Sequence, residues 1–249
     1  MSYLPEFPNI EKKLRFGRSV YAGYQRGWGL EFGGLREKIL ADPLYQEASA
    51  LAGNRSVVSE PRRMNMFLLL KYFLGELPMG DVIEYGSYRG GNAIFMAYIA
   101  KKLHPGMKIY ALDTFEGMPE TDAAVDAHKL GDFNDANYTE IADFVAKSGL
   151  DNLVLVKGLF EDTNAELMKT VKKVRMAHID CDIKPAVEFS YENVKKKMVE
   201  GGYYVFDDAT VSSCIGATEV IENLVIRRDG LNSEQIWPHF VFRAFKKKK

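Results

Sequence analysis

The chain has 249 residues, 47% of them hydrophobic, with 33 basic against 34 acidic side chains, a balance that suits one compact domain of enzyme size. It excludes a polycation built to neutralise phosphates and a disordered segment, which would pair low hydrophobicity with high net charge. Without the terminal lysine run 246–249 the body has 29 basic and 34 acidic residues, so neither a nucleic-acid nor a membrane partner is expected.

Residues 1–60 hold Tyr21, Tyr24, Trp28 and Phe32 among several glycines without a strand pattern. They read as a helical or irregular cover over the ligand edge of an α/β domain spanning 61–245, with 246–249 as a basic tail. This aromatic region and the 237–245 end are candidate contact surfaces of a homo-oligomer. The most apolar run, 66–74, is interrupted by Lys71 and is far shorter than the roughly 20 residues that span a bilayer. Cys181 and Cys214 lack disulfide or metal-ligand spacing, and the first residues show no leader pattern, so a cytoplasmic setting is expected.

From residue 81 onward strand-type and helix-type runs alternate. Strands are expected at 81–85, 108–112, 153–157, 175–179 and 203–206. Helices are expected at 92–103, 138–148, 162–173, 186–199 and 215–227, and short extended segments at 234–237 and 239–245. This order predicts a doubly wound, largely parallel sheet whose ligands bind beyond the carboxyl ends of the strands. The connection between Asp113 and Tyr138 is long enough to serve as a lid.

Two features at those strand ends carry chemistry. Glu84-Tyr85-Gly86-Ser87-Tyr88-Arg89-Gly90-Gly91-Asn92 joins the first strand to the first helix, where glycines permit close backbone approach to a ligand. Tyr88 replaces the second glycine of the dinucleotide pattern and would crowd a pyrophosphate, while Glu84 suits the ammonium end of an amino-acid ligand. Asp113, ending the second strand, is placed for ribose hydroxyls. Gly158 and Phe160 follow the third strand, and Phe160 fits an adenine wall or ordinary core equally well.

The second feature pairs Asp180-Cys181-Asp182 with Asp207-Asp208 after the fourth and fifth strands, which a doubly wound sheet sets about 4.8 Å apart. Converging carboxylates repel unless a cation compensates, so Asp180, Asp207 and Asp208 are candidate ligands of a magnesium-class ion. Asp182 lies further out and can instead cap the next helix. His178 shares a side with Asp180 but reads as a core histidine.

In this order, EYGSYRGGN (84–92), DTFEGMP (113–119), DCD (180–182) and GGYYVFDD (201–208) resemble the macrocin O-methyltransferase family across residues 60 to about 227. The resemblance implies a Rossmann-like class I methyltransferase fold and S-adenosylmethionine- and magnesium-dependent methylation of a sugar hydroxyl on a natural product, with S-adenosylhomocysteine as the product. It implies that Glu84, Gly86, Ser87, Tyr88, Gly90 and Asn92 hold the methionine part, and that Asp113, with Thr114 and Phe115, holds the ribose. Gly158 and Phe160, by their position, would complete the cofactor site. The resemblance also implies that Asp180, Asp207 and Asp208 hold the metal and that Asp180 doubles as general base. One departure is Ile183-Lys184-Pro185, where the family continues with an apolar residue, an aromatic and an acid; Lys184 would pair with Asp182 or meet an acidic acceptor. Two other readings stand beside this one: a nucleotide-sugar glycosyltransferase using Asp180-Cys181-Asp182, and a non-catalytic nucleoside-binding protein.

Overall fold

The computed structural model describes residues 30–31 and 33–245. Tyr21, Tyr24, Trp28, Phe32 and the lysine tail lie outside them. Seven strands form one sheet in the order β3-β2-β1-β4-β5-β7-β6. β1 (Asp81–Tyr85), β2 (Ile109–Asp113), β3 (Leu153–Lys157), β4 (Val174–Ile179) and β5 (Met198–Phe206) run parallel. β6 (Ser233–Gln235) and β7 (Phe240–Ala244) close the edge antiparallel. The chain order reverses between β1 and β4, which is where a doubly wound sheet opens its ligand crevice.

Helices cover both faces. α1 (Gly34–Leu40), α2 (Pro43–Ala52), α3 (Glu60–Leu68), α4 (Gly91–Leu103) and α5 (Tyr138–Lys147) share one core with Val82, Ile109, Met176, Val205 and Val241. α6 (Phe160–Thr170), α7 (Lys184–Val194) and α8 (Ile215–Val220) share the other with Ile83, Leu112, Ile179, Phe206 and Phe242. The alternation of Val82 with Ile83, and of Val205 with Phe206, is the period-2 signature of a strand buried on both faces. The helices of 34–52 belong to this first core, with Tyr45 edge-on to both Phe67 and Phe95.

The fourth crossover differs from the sequence expectation. α7 stops at Val194 and β5 begins at Met198, so residues expected in the helix extend the strand. Helical periodicity favoured a longer helix, but pairing of Met198 with Val174 draws this segment into the sheet.

Candidate active site

Register sets the site. Ile179 pairs with Phe206 and Phe206 with Phe240, so Asp180 and Asp207, which follow their strands, and His239, which precedes antiparallel β7, emerge side by side at the carboxyl edge of β4 and β5. By alternation they share a face with Glu84 and His178, which are themselves register partners. α3 packs on that same face and adds Arg62 and Asn65.

A cavity of about 510 Å³ opens there, lined by Glu84, Asp113, Asp180, Asp207 and Asp208 among others. Of the residues singled out in the sequence, Gly86, Ser87, Tyr88, Asn92, Thr114 and Phe160 also line it. Gly90, Phe115 and Gly158 are not among its lining residues. Phe115 is 2% exposed and packs on Tyr138, Gly90 is the left-handed residue that starts α4, and Gly158 donates its N–H to the Asp113 carbonyl at 2.9 Å.

Glu84 is fully buried. Its Oε1 accepts from Asn92 Nδ2 at 2.7 Å and lies 3.0 Å from His178 Nδ1, while Oε2 and the buried Ser87 Oγ have no hydrogen-bond partner among the described residues. Buried polar atoms of this kind are rare and mark a place for a polar ligand. Asp113 organises the loop: Oδ2 accepts the N–H groups of Ser87 (2.9 Å) and Tyr88 (2.7 Å), and Oδ1 accepts that of Phe115 (2.7 Å). Thr114 Oγ1 donates its single proton to the Gly117 carbonyl at 2.8 Å, so Asp113 Oδ1 keeps an acceptor position. Gly86, at φ 87°, is fixed by the approach of β4: a Cβ there would lie 1.7 Å from the Asp180 carbonyl oxygen.

The acids do converge. Asp180, Asp207 and Asp208 offer oxygen atoms within 4.8 Å of one another. Burial and the neighbouring carboxylates of Asp207 and Asp208 push the Asp180 carboxyl well above its ordinary range, and burial with Asp182 and Asp207 does the same to Asp208. Asp207 behaves in the opposite way. Burial opposes its ionisation, but the imidazoles of His178, 3.6 Å away, and of His239, hydrogen-bonded at 2.9 Å, outweigh it and hold the carboxyl far below the usual range. Arg62 adds an ion pair at 2.5 Å to Asp207 Oδ2 and donates to its carbonyl at 2.9 Å. Asp207 thus has its countercharge in the protein, whereas Asp180 and Asp208 carry the uncompensated acidity. An all-oxygen donor set with excess negative charge fits a hard divalent cation.

Four residues now in the site were not singled out for it. Arg62 lay at the start of the expected α/β domain without a role assigned to it, and His178 was read as core. His239, 0% exposed, is brought by β7 to 2.9 Å from Asp207 Oδ1 with Asn65 on its other nitrogen. His128, in the 114–137 connection, reaches Asp182 at 3.5 Å. That connection docks on the ends of the next elements: Asp126 Oδ1 caps the Lys184 N–H at 3.0 Å, and Val125 O accepts from Gly216 at 3.0 Å. Asp126, rather than Asp182, therefore caps α7. Lys184 does not reach Asp182; from the first turn of α7 its ammonium points to α8 and pairs with Glu219 at 2.7 Å.

Residues 56–227 match the macrocin-O-methyltransferase (TylF) family. The chain belongs to this family. It is 27% identical over 169 residues to the 8-demethyl-8-(2,3-dimethoxy-alpha-L-rhamnosyl)-tetracenomycin-C 4'-O-methyltransferase of Streptomyces olivaceus, and that match spans 64% of this chain and 64% of the relative, under two thirds of its length. The O-methyltransferase NovP superposes with a TM-score of 0.65 at 20% identity, over 78% of this chain and 84% of its own. The calicheamicin methyltransferase CalS11 gives 0.63 at 16% identity, over 81% and 93%. At these identities the two structures bear on the fold, a Rossmann-like class I methyltransferase sheet.

Proposed function

We propose that this family member transfers a methyl group from S-adenosylmethionine to a sugar hydroxyl of a glycosylated small molecule, with a magnesium-class cation at Asp180, Asp207 and Asp208. The observation that carries this reading is a single cavity holding both the acid cluster and the half-partnered, buried carboxylate of Glu84. Support for the acceptor class comes from the Streptomyces olivaceus relative, which by its name methylates a rhamnosyl group, and from CalS11, a calicheamicin methyltransferase.

When bound, S-adenosylmethionine supplies a methyl group activated by a sulfonium, and the cation supplies Lewis acidity at the acceptor hydroxyl. The protein does the rest by positioning. Glu84 Oε2 and Ser87 Oγ receive the polar end of the methionine part. Asp113 holds the 86–90 loop in place and offers its remaining Oδ1 position to the ribose, with Phe160 beside the base. Asp180, at the end of β4 within the acid cluster, takes the proton from the hydroxyl as general base. The docked 114–137 connection limits water around the reacting groups. Residues 55–62 complete the acceptor side, in keeping with Arg55, Val58 and Arg62 on the cavity wall. The exposed Ile236, Trp237 and Phe245 support self-association.

The test is a methyl-transfer assay on a rhamnosylated acceptor, such as a rhamnosyl-tetracenomycin, with and without chelator. Methylation that chelator abolishes and magnesium restores is expected; full turnover in excess chelator would remove the metal from the reading. Binding of UDP-sugars in place of S-adenosylhomocysteine would favour the glycosyltransferase, and nucleoside binding without methyl transfer the binding protein. Among the described residues no helix is long and apolar enough to cross a membrane.

A further inference from the structure

Beyond the oxygen cluster, a second group of ligand atoms meets at the cavity wall. His128 Nε2 lies 3.5 Å from Asp182 Oδ1, and Cys214 Sγ lies 3.6 Å from the same oxygen, with all three atoms within 4.8 Å of one another. The thiol of Cys214 donates to that oxygen, and the His128 nitrogen stands beyond normal hydrogen-bond length. These separations are also the edge lengths of a tetrahedral coordination shell: a zinc ion with bonds of about 2.0–2.3 Å to nitrogen, oxygen and sulfur sets its ligand atoms about 3.4–3.6 Å apart.

We propose that His128, Asp182 and Cys214 form a binding site for a soft divalent cation of the zinc class, separate from the hard-cation cluster of Asp180, Asp207 and Asp208. The donor chemistry separates the two sites, because thiolate and imidazole select zinc-like ions and a set of carboxylates selects magnesium. The surroundings are built for the role. His128 Nδ1 faces Asp132 Oδ2 at 3.4 Å, the carboxylate–histidine arrangement that orients a metal-bound imidazole. Ser213 Oγ lies 3.5 Å from Cys214 Sγ, and the Asp182 N–H is held by Asp208 at 2.9 Å. Asp182 keeps a left-handed backbone, φ 59°, with its side chain toward His128 and Cys214.

Cys214 is 1% exposed, and its thiol proton would leave to solvent on binding. His128 and Asp182 line the cavity, so the fourth position of the ion opens onto it, as in three-ligand zinc sites that hold a water or substrate. Because His128 belongs to the 114–137 connection, occupancy ties that connection to the end of β4 and the start of α8.

The inference is independent of methyl transfer. Its test is a cobalt(II) titration of the full chain in excess magnesium, read by the thiolate-to-cobalt absorption band and by stoichiometry. One cobalt per chain with a thiolate band is expected in the wild type, in Cys181→Ser and in Asp207→Ala. Cys214→Ser should abolish the band, and His128→Gln should weaken binding at least tenfold. Absence of the band in the wild type, or a band that survives Cys214→Ser and disappears in Cys181→Ser, would overturn the proposal.

Discussion

His178 Nδ1 lies 3.0 Å from Glu84 Oε1, both side chains wholly buried, and the other face of the imidazole turns to Asp207 at 3.6 Å. One side chain thus stands between the carboxylate of the proposed methionine pocket and a carboxylate of the proposed metal cluster. His178→Ala leaves two buried acids short of a donor, and breaking such a buried pair costs roughly 3–5 kcal/mol. Urea denaturation should show a loss of that size. A loss below about 1 kcal/mol would mean that Asn92, His239 and Arg62 suffice to hold the two carboxylates.

At Gly86 the backbone leaves no room for a side chain. A methyl group there would meet the Asp180 carbonyl at 1.7 Å in a backbone conformation that L residues seldom adopt. Gly86→Ala should cost more than about 4 kcal/mol, in the range of severe core lesions, and deliver little folded protein. Circular dichroism of the purified variant decides the point, and a native melting curve would contradict it.

In the proposed site Arg62 and a divalent cation would compete for Asp207. Replacing the guanidinium by a neutral amide in Arg62→Gln removes a positive charge 2.5 Å from Asp207 Oδ2, an effect on the order of 1 kcal/mol or more at a partly exposed site. Magnesium should bind the variant several-fold tighter by calorimetry. Weaker binding would show that Arg62 acts mainly as a strut for Asp207 and the Pro238 carbonyl.

Much of this arrangement can be read from the residues, and the part that cannot has a physical reason. The five parallel strands announce themselves as apolar runs bounded by turns, and the acids at their ends follow from topology alone. Arg62, Asn65 and His239 are different. Arg62 reaches Asp207 across 145 positions of sequence, Asn65 reaches His239 across 174 and His239 reaches Asp207 across 32, through the packing of α3 on the sheet and the return of β7 beside β5. No local pattern marks them. His178 was visible and sits on the expected face, but a strand histidine shows its partner only when β1 and β4 are in register.

Away from the cavity, Asp229 gathers Arg228 (2.8 Å), the Tyr191 hydroxyl (2.7 Å) and Lys195 (3.4 Å). Arg228 chiefly, with Tyr191 and Lys195, lowers its carboxyl well below the usual range. Because the folded value is depressed, the stabilisation is complete above the unfolded aspartate range near pH ~4 and fades as pH falls below it. Asp229→Asn should therefore lose roughly 1–3 kcal/mol at pH 7 and much less at pH 2–3. Melting curves of both proteins across this range provide the comparison, and a pH-independent difference would contradict the assignment.

The central claim, one cavity with a cofactor half and a separate cation half, is tested most directly by calorimetric titration of S-adenosylhomocysteine into the wild type, Glu84→Gln and Asp207→Ala. The account predicts one site per chain in the wild type and at least tenfold weaker binding in Glu84→Gln. Asp207→Ala should keep its affinity within a few fold while its methyl transfer is abolished. No binding by the wild type, or equal affinity in Glu84→Gln, would contradict it.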